Sequence, residues 1–296
     1  MASISKCAPA LALRGVNHTA RPTWKLAETV EFYRDVLGLP LVHTISARGW
    51  GPAAHPDFLH FFFDSGNGST IAFFYYLGSA PPAELAARPY MRPVPEDHVF
   101  DATHTAWGVD SIEELEAWKA RLEGKGVEII ETRHETIESI YFRDPNGYFI
   151  EITLQLRPLN RVDAVDAGLT LQAAIEREEE AARCGTRLTA IDDVWTRKAQ
   201  LLEAQVAQPP STTALVRMFV PDVEEFAALV EAARAQPACR VSAPLADYHV
   251  IESDTPLEFR RKELKLKPAV WNGLFTGGLR GRIEALDRDV VRIAPV

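Results

Sequence analysis

One order of elements occurs twice in the first half of this 296-residue chain. A sequence that repeats such an order is committed to two like-folded modules that bury their apolar faces together. Residues 11 to 20, LALRGVNHTA, alternate as a strand does, with Val16, His18 and Ala20 on one face. Thr23 is a helix N-cap by residue type, Leu26, Val30, Tyr33 and Leu37 repeat at helical spacing, and Gly38 is the expected stop. Strands follow over 41–45, 58–63 and 70–76, with a turn at 64–68. After a proline-rich stretch (Pro81, Pro82, Pro89, Pro93, Pro95) the order resumes at Asp101. Ser111 and Glu114 predict a capping box, Leu115, Trp118 and Leu122 a buried stripe, and Gly124 or Gly126 the end of the helix. His18 stands 20 residues before Gly38, and His104 stands 20 before Gly124. Superposing the Asn67-Gly68 and Asn146-Gly147 turns sets Ala72 where Glu151 stands.

The stretch from Thr132 to Glu151 reads as two short strands joined by the turn formers Asp144, Pro145, Asn146 and Gly147. Its second strand places Glu151 inside an otherwise apolar run. Burying even a neutral polar group without a partner costs roughly 2 to 7 kcal/mol, so a cation must sit beside this carboxylate. An Arg or Lys would make an ordinary ion pair; a metal ion held with other ligands is the alternative. The stretch resembles the signature of the type I extradiol ring-cleaving dioxygenases, in which a His, a Tyr, an Asp-Pro-x-Gly turn and a Glu follow in this order. Thr132, His134, Ile140, Tyr141, Asp144, Pro145, Gly147 and Glu151 all match it.

The duplicated module as a whole, over about 11–156, is similar to the vicinal oxygen chelate superfamily, whose paired modules form a cupped sheet around one metal. That resemblance implies a ligand set of His18, His104 and Glu151. Members such as glyoxalase I use a carboxylate from both modules, an option Ala72 removes. Two imidazoles and one carboxylate leave open positions suited to Fe(II), or to Mn(II) or another divalent metal. His134 and Tyr141 match the pair that orients a bound catecholate and stabilises charge on oxygen. An acid/base histidine precedes the second ligand histidine in the family, and His98 is the candidate here, at a shorter interval than the family pattern.

A lone strand histidine ordinarily packs in a core and bonds a carbonyl; it is the equivalence of His18 and His104 in two repeats that sets them apart. His60, in L-H-F-F-F, is expected to pack on a sheet, and nothing argues for His43, His55 or His249. Trp50, Phe61, Phe63, Phe73, Tyr75 and Trp107 suit a core or a pocket wall.

The expected fold is α+β: paired βαβββ modules (about 11–78 and 101–156), a helical arm over 157–208 and a small α+β domain over 211–296. In the arm, helices over 163–183 and 187–207 carry Leu171 and Ile175, then Leu188, Ile191, Trp195, Leu201 and Leu202. Pro209 to Thr213 reads as a linker, 214–220 as a strand and 223–235 as a helix. The remainder reads as strands and turns, and Gly277 to Gly281 as a hairpin turn, since it lacks the Gly-Lys-Ser/Thr ending of a phosphate loop.

The formal charge of −9 offers no basic face for nucleic acid or anionic lipid, and 47% hydrophobic residues supply a sizeable core. Cys7, Cys184 and Cys239 are odd in number and widely spaced, which predicts reduced thiols. No apolar run reaches the roughly 18 residues of a membrane span; a cytoplasmic homo-oligomer is expected. The leading functional expectation is Fe(II)-dependent cleavage of a catechol-like ring with O2, the partners being a small aromatic diol and O2. The alternatives are a glyoxalase-like isomerase or lyase, a fosfomycin-type thiol transferase, and a metal-free binding protein of the bleomycin-resistance kind.

Overall fold

A computed structural model of the chain describes residues 15–48, 56–80, 104–205 and 215–296. His98, His55, Trp50, Cys7 and the 209–213 linker lie outside the described residues. The architecture is mixed α and β, as expected, and divides into two compact units. The first comprises the chain up to Thr132 with Ser139–Leu154; the second comprises Arg133–Glu138 with Gln155–Val296.

The first unit contains the repeat. β1 (His18–Thr23), α1 (Leu26–Glu31), β2 (Leu41–Ala47), β3 (Phe58–Gly66) and β4 (Ser69–Tyr76) form a sheet of order β1-β4-β3-β2. β5 (Thr105–Val109), α2 (Ile112–Gly124), β6 (Ile130–Arg133), β7 (Ile137–Arg143) and β8 (Phe149–Gln155) repeat it as β5-β8-β7-β6. The registers coincide. β1 runs parallel to β4 with Ala20 opposite Ala72, and β5 runs parallel to β8 with Ala106 opposite Glu151. Each histidine therefore stands two residues before the partner of its module's fourth-strand position. Helix-side faces of both modules share one core containing Tyr33, Phe63, Phe73, Leu122, Phe142 and Ile150.

The module boundaries differ from expectation where side chains found other partners. Thr23 is not the N-cap; that position is Lys25, with no side-chain cap. Thr23 is fully buried, its hydroxyl donating to Asn146 Oδ1 at 2.7 Å and lying 2.8 Å from Thr29 Oγ1. α1 then widens into a π turn over Phe32–Val36, with the Leu37 amide donating to the Phe32 carbonyl at 2.8 Å. Gly38 does stop it, at φ +77°. Ser111 caps α2 by accepting from the Glu114 amide, but the Glu114 carboxylate reaches the Asp110 amide at 2.9 Å, so the reciprocal half of the box is displaced by one residue.

The Asp144–Gly147 turn is built around a buried carboxylate. Asp144 Oδ1 accepts from the amides of Asn146 and Tyr148, each at 2.9 Å, and Oδ2 accepts from the Tyr33 hydroxyl at 3.2 Å. Burial raises the Asp144 pKa against these hydrogen bonds, and burial, then the nearby Asp144 charge, raises that of Tyr33.

In the second unit, α3 (Arg161–Arg183) and α4 (Ile191–Gln205) pack through Leu169, Ala199 and Leu202 on Phe219, Tyr248 and Val250. The buried stripe of α3 is Leu169 and Ala173. Leu171 and Ile175, the residues the periodicity favoured, are 64% and 53% exposed. Val165, Leu169 and Ala173 form an equally regular four-residue row, and its smaller side chains allow α4 to approach. β9 (Val216–Pro221), α5 (Ala227–Ala235), β10 (Arg240–Val241), β11 (Tyr248–Ser253), β12 (Leu257–Arg260), α6 (Arg261–Leu264), α7 (Pro268–Asn272), β13 (Leu279–Arg280), β14 (Arg282–Leu286) and β15 (Val290–Ala294) complete the unit. They make two sheets, β10-β11-β9-β13 and β12-β15-β14, so two short helices interrupt what the sequence suggested was strand and turn. Gly277 to Gly281 is not a hairpin turn. β13 pairs with β9 and β14 with β15, so the chain changes sheets at Gly281. A Cβ on Gly277 would lie 2.1 Å from the Phe219 carbonyl oxygen, and only glycine admits that approach to β9. Gly277→Ala is accordingly expected to destabilise the second unit by about 1 to 3 kcal/mol, read as an earlier urea midpoint; an unmoved midpoint would show that β9 yields easily.

Candidate functional site

Strand alternation separates two faces of the second sheet. Ile150 and Ile152 join the helix-side core, so Glu151 between them points to the opposite face. Glu151 is 2% exposed, and its carboxylate gathers the site. Ser139 Oγ donates to Oε1 at 2.5 Å, the Tyr141 hydroxyl donates to the same oxygen at 3.1 Å, and His104 Nε2 lies 3.0 Å from Oε2. Thr153 Oγ1 stands 2.8 Å from Ser139 Oγ behind this group. Tyr141 stacks on Phe149 with ring centroids 5.3 Å apart, and His104 sets its ring edge-on to both. Arg143 lies over the Phe149 ring, its guanidinium carbon 4.9 Å from the centroid, and donates to the Gly147 carbonyl. Burial first, then the Glu151 charge, pushes the Tyr141 pKa up to about 12, so its hydroxyl is a proton donor at neutral pH.

The sequence required a cation beside Glu151 and left its nature open. Among the described residues no Lys or Arg pairs with this carboxylate; its ion-pair partner is His104. Two donors of the kinds a divalent metal takes stand side by side here. One imidazole nitrogen and one carboxylate oxygen 3.0 Å apart have the separation of neighbouring donors around a six-coordinate cation with bonds of roughly 2.1 Å. It is equally the length of a direct hydrogen bond.

The first module presents the equivalent face differently. His18 is exposed at the start of β1, its Nδ1 2.8 Å from Asn17 Oδ1 and its ring edge-on to Phe62. Ala72 is fully buried. His43 and His60 also flank Phe62, and His60 stacks on Phe74 with centroids 3.6 Å apart. His60 packs on the sheet as expected, Nδ1 lying 3.0 Å from the Phe73 carbonyl oxygen, and burial lowers its pKa with smaller contributions from His18 and His43. Among the described residues no three His, Cys, Asp or Glu side chains converge on one point. The structure thus joins His104, Glu151 and Tyr141, while His18 keeps its equivalent position in the repeat without joining them. His134 lies in the β6–β7 connection within the second compact unit, its amide donating to the Ile137 carbonyl at 2.9 Å.

Ser139 was not singled out from sequence. Its signal was present: Ser139, Tyr141 and Arg143 alternate along β7, so whatever face Tyr141 shares with the β8 carboxylate, Ser139 shares too.

The Glyoxalase/Bleomycin resistance protein/Dioxygenase superfamily profile matches residues 15–152. Solved structures that resemble the chain include lactoylglutathione lyase from Agrobacterium tumefaciens, at 23% identity, covering 48% of this chain and 95% of that one with a TM-score of 0.33. A putative dioxygenase from Bacillus subtilis aligns at 23% identity over 48% of this chain and 40% of its own, TM-score 0.35. An antibiotic binding protein from a Streptomyces species aligns at 18% identity over 49% and 99%, TM-score 0.33. The profile match, the doubled βαβββ order and the shared register have one reading: residues 15–152 are a domain of the glyoxalase/bleomycin resistance protein/dioxygenase, or vicinal oxygen chelate, superfamily.

Proposed function

We propose that this domain is a metal-dependent extradiol-type dioxygenase that opens a catechol-like ring with O2, with His18, His104 and Glu151 as metal ligands and Fe(II), or Mn(II), as the metal. The observation that carries the reading is the buried Glu151 carboxylate, which pairs with His104 and with no Lys or Arg among the described residues, under the hydroxyl of the signature tyrosine. The metal, when bound, supplies chelation of two vicinal oxygens and a path for electrons from substrate to O2. The chain's own residues do the rest. Ser139 and Tyr141 fix the orientation of the Glu151 carboxylate. Tyr141, protonated at neutral pH, would turn its single O–H from Glu151 Oε1 to a developing negative charge on substrate oxygen, leaving Ser139 to hold the carboxylate. Phe149 gives an aromatic wall beside it. His134, from its place in the signature, is proposed to orient the substrate and stabilise charge on oxygen, and His98, six residues before His104, as the acid/base group.

The direct His104–Glu151 contact favours a second reading, a metal-free module that binds a small molecule, because that contact satisfies the carboxylate without an ion. Metal content and O2 uptake decide between them. Anaerobically purified protein is expected to hold about one iron per chain and to consume O2 in step with loss of a catechol. Tyr141→Phe is expected to keep its iron while turnover falls by roughly 10²- to 10⁴-fold. Protein that refuses iron supports the binding module; substrate loss under argon moves the assignment to an isomerase, lyase or thiol transferase. We also propose a homo-oligomer, supported by the exposed Leu171 and Ile175 on α3.

A further inference from the structure

Alternation sorts the first sheet as it sorts the second. Phe61, Phe63, Ile71 and Phe73 join the helix-side core, so His60, Phe62, Ala72 and Phe74 between them point to the face equivalent to that of Glu151. There His60 pairs with Phe74 across β3 and β4, and Phe62 pairs with Ala72. The rings form a ladder. His60 stacks on Phe74 with centroids 3.6 Å apart, and Phe74 stacks on Tyr76 at 5.6 Å, each pair within 5° of parallel. Phe62 tilts against His60 with centroids 4.2 Å apart and borders it on a second side. Phe62, Phe74 and Tyr76 are half-buried, so ring surface faces outward where alternation ordinarily places polar side chains.

His60 adds one directional group to this aromatic bed. The side chain is 7% exposed, and its Nδ1 lies 3.0 Å from the Phe73 carbonyl, which can only accept. The proton of the neutral ring is therefore on Nδ1, and Nε2 is a bare acceptor. Among the described residues Nε2 has no hydrogen-bond partner, and it is not one of the unpaired polar atoms sealed from the surface. Phe58 and Phe62, two residues away on the same face, and Phe74 across the strand offer it no donor. A side chain more than nine-tenths buried, with its tautomer fixed and its acceptor open, is pre-organised to take a hydrogen bond from outside the chain. Flat rings on two sides favour a planar aromatic body for the donor.

We propose that His60 is a specificity-determining residue whose Nε2 accepts a hydrogen bond from a hydroxyl of a planar aromatic ligand lying against Phe62 and Phe74. That hydroxyl is a substituent additional to the vicinal pair of a catechol. The inference rests on the reading that this domain binds a small aromatic molecule, and it stands whether or not that molecule also meets a metal.

The test uses matched catechols that differ by a hydroxyl in place of a methyl: 3- and 4-(hydroxymethyl)catechol against 3- and 4-ethylcatechol. Calorimetry is run under argon at about pH 8, where an imidazole of ordinary pKa is neutral, on the full-length protein with and without Fe(II). His60→Phe keeps an aromatic ring on Phe74 but has no acceptor. In at least one pair the ratio of hydroxymethyl to ethyl affinity is expected to fall about fivefold in this variant. An unchanged ratio in both pairs overturns the proposal, as does a wild-type protein that binds none of the four compounds. Should His60→Phe lose its native circular dichroism, a crystal structure of the wild-type protein with the tighter hydroxymethyl compound decides. A hydroxyl oxygen more than about 3.5 Å from Nε2 would then overturn the assignment. Failure of the dioxygenase reading looks different. A ratio that falls in His60→Phe with no dependence on Fe(II) supports His60 and favours the metal-free module, whereas Fe(II)-dependent binding with an unchanged ratio keeps the metal centre and removes His60.

Discussion

Glu151→Ala is expected to strip the protein of divalent metal while leaving it folded. Among the described residues Glu151 carries the one carboxylate joined to His104 and Tyr141, buried to 2% exposure. Losing an outer group that merely orients a ligand already costs metal affinity 10- to 100-fold, so losing the ligand itself should exceed roughly 10²-fold. Folding should survive because the hydroxyls around it have other places to go. Ser139 retains Thr153 at 2.8 Å, and the Tyr141 ring stays fixed by its stack on Phe149. Glu151→Gln gives the control of shape. It keeps a carbonyl acceptor for Ser139 and Tyr141 but removes the charge, so a loss of metal equal to that of alanine assigns the effect to charge and coordination. The measurement is elemental analysis of anaerobically prepared protein alongside the far-ultraviolet circular dichroism of each variant. Iron retained at the wild-type level in Glu151→Ala would remove this residue from the ligand set and place the metal elsewhere.

The second large effect lies in the other unit. Asp166→Ala is expected to cost about 3 to 5 kcal/mol of stability, the usual penalty for orphaning a buried charge. Lys198 has no exposed side-chain surface, and its ammonium donates to Asp166 Oδ1 at 2.5 Å, Thr170 Oγ1 at 2.7 Å and the Thr276 carbonyl at 2.7 Å. Tyr248 donates to the same Asp166 oxygen at 2.8 Å. Burial lowers the Lys198 pKa, and Asp166 is the charge that opposes it. Remove the aspartate and the ammonium faces only dipoles. Lys198→Met should cost much less, since Asp166 is partly open to water and keeps its Tyr248 hydrogen bond while methionine refills the space. Urea unfolding of both variants checks this; equal losses would mean that the lysine contributes by packing rather than by charge.

Much of the first unit was legible because it is written twice. The equal intervals from His18 to Gly38 and from His104 to Gly124 exposed the module, and the matched Asn-Gly turns predicted the register in which Ala72 and Glu151 coincide. Turn chemistry at Asp144–Gly147 is local, and it emerged as expected. What the sequence concealed were partners distant along the chain. Thr23 has the right residue type for a cap, but Asn146, which lies 123 residues away, claims its hydroxyl. On α3 two rows compete at the same spacing, and apolarity favoured Leu171 and Ile175 over the row that packs. Lys198 looks like any helix-surface lysine until Asp166, Thr170 and Thr276 are brought around it. At the candidate site the resemblance grouped His104 and Glu151 as metal ligands, and their direct contact was not foreseen. The place of His18 relative to them was not legible either, because an interval along each module fixes a strand position and not the distance between modules.

Residues 133 to 138 give the chain a path that visits the first unit, the second, the first again and then the second. The short excursion is held by its own unit: the Leu156 amide and the Gln155 side chain both donate to the Thr136 carbonyl, at 2.8 and 2.9 Å. No single scission of the backbone can therefore release both units intact. A cut after Leu154 deprives the second of its inserted hexapeptide, and a cut before Arg133 deprives the first of β7 and β8, which carry Tyr141 and Glu151. Limited proteolysis at this junction would yield nicked, associated fragments rather than free domains, and a gene fragment beginning at Gln155 would encode the second unit without its hexapeptide.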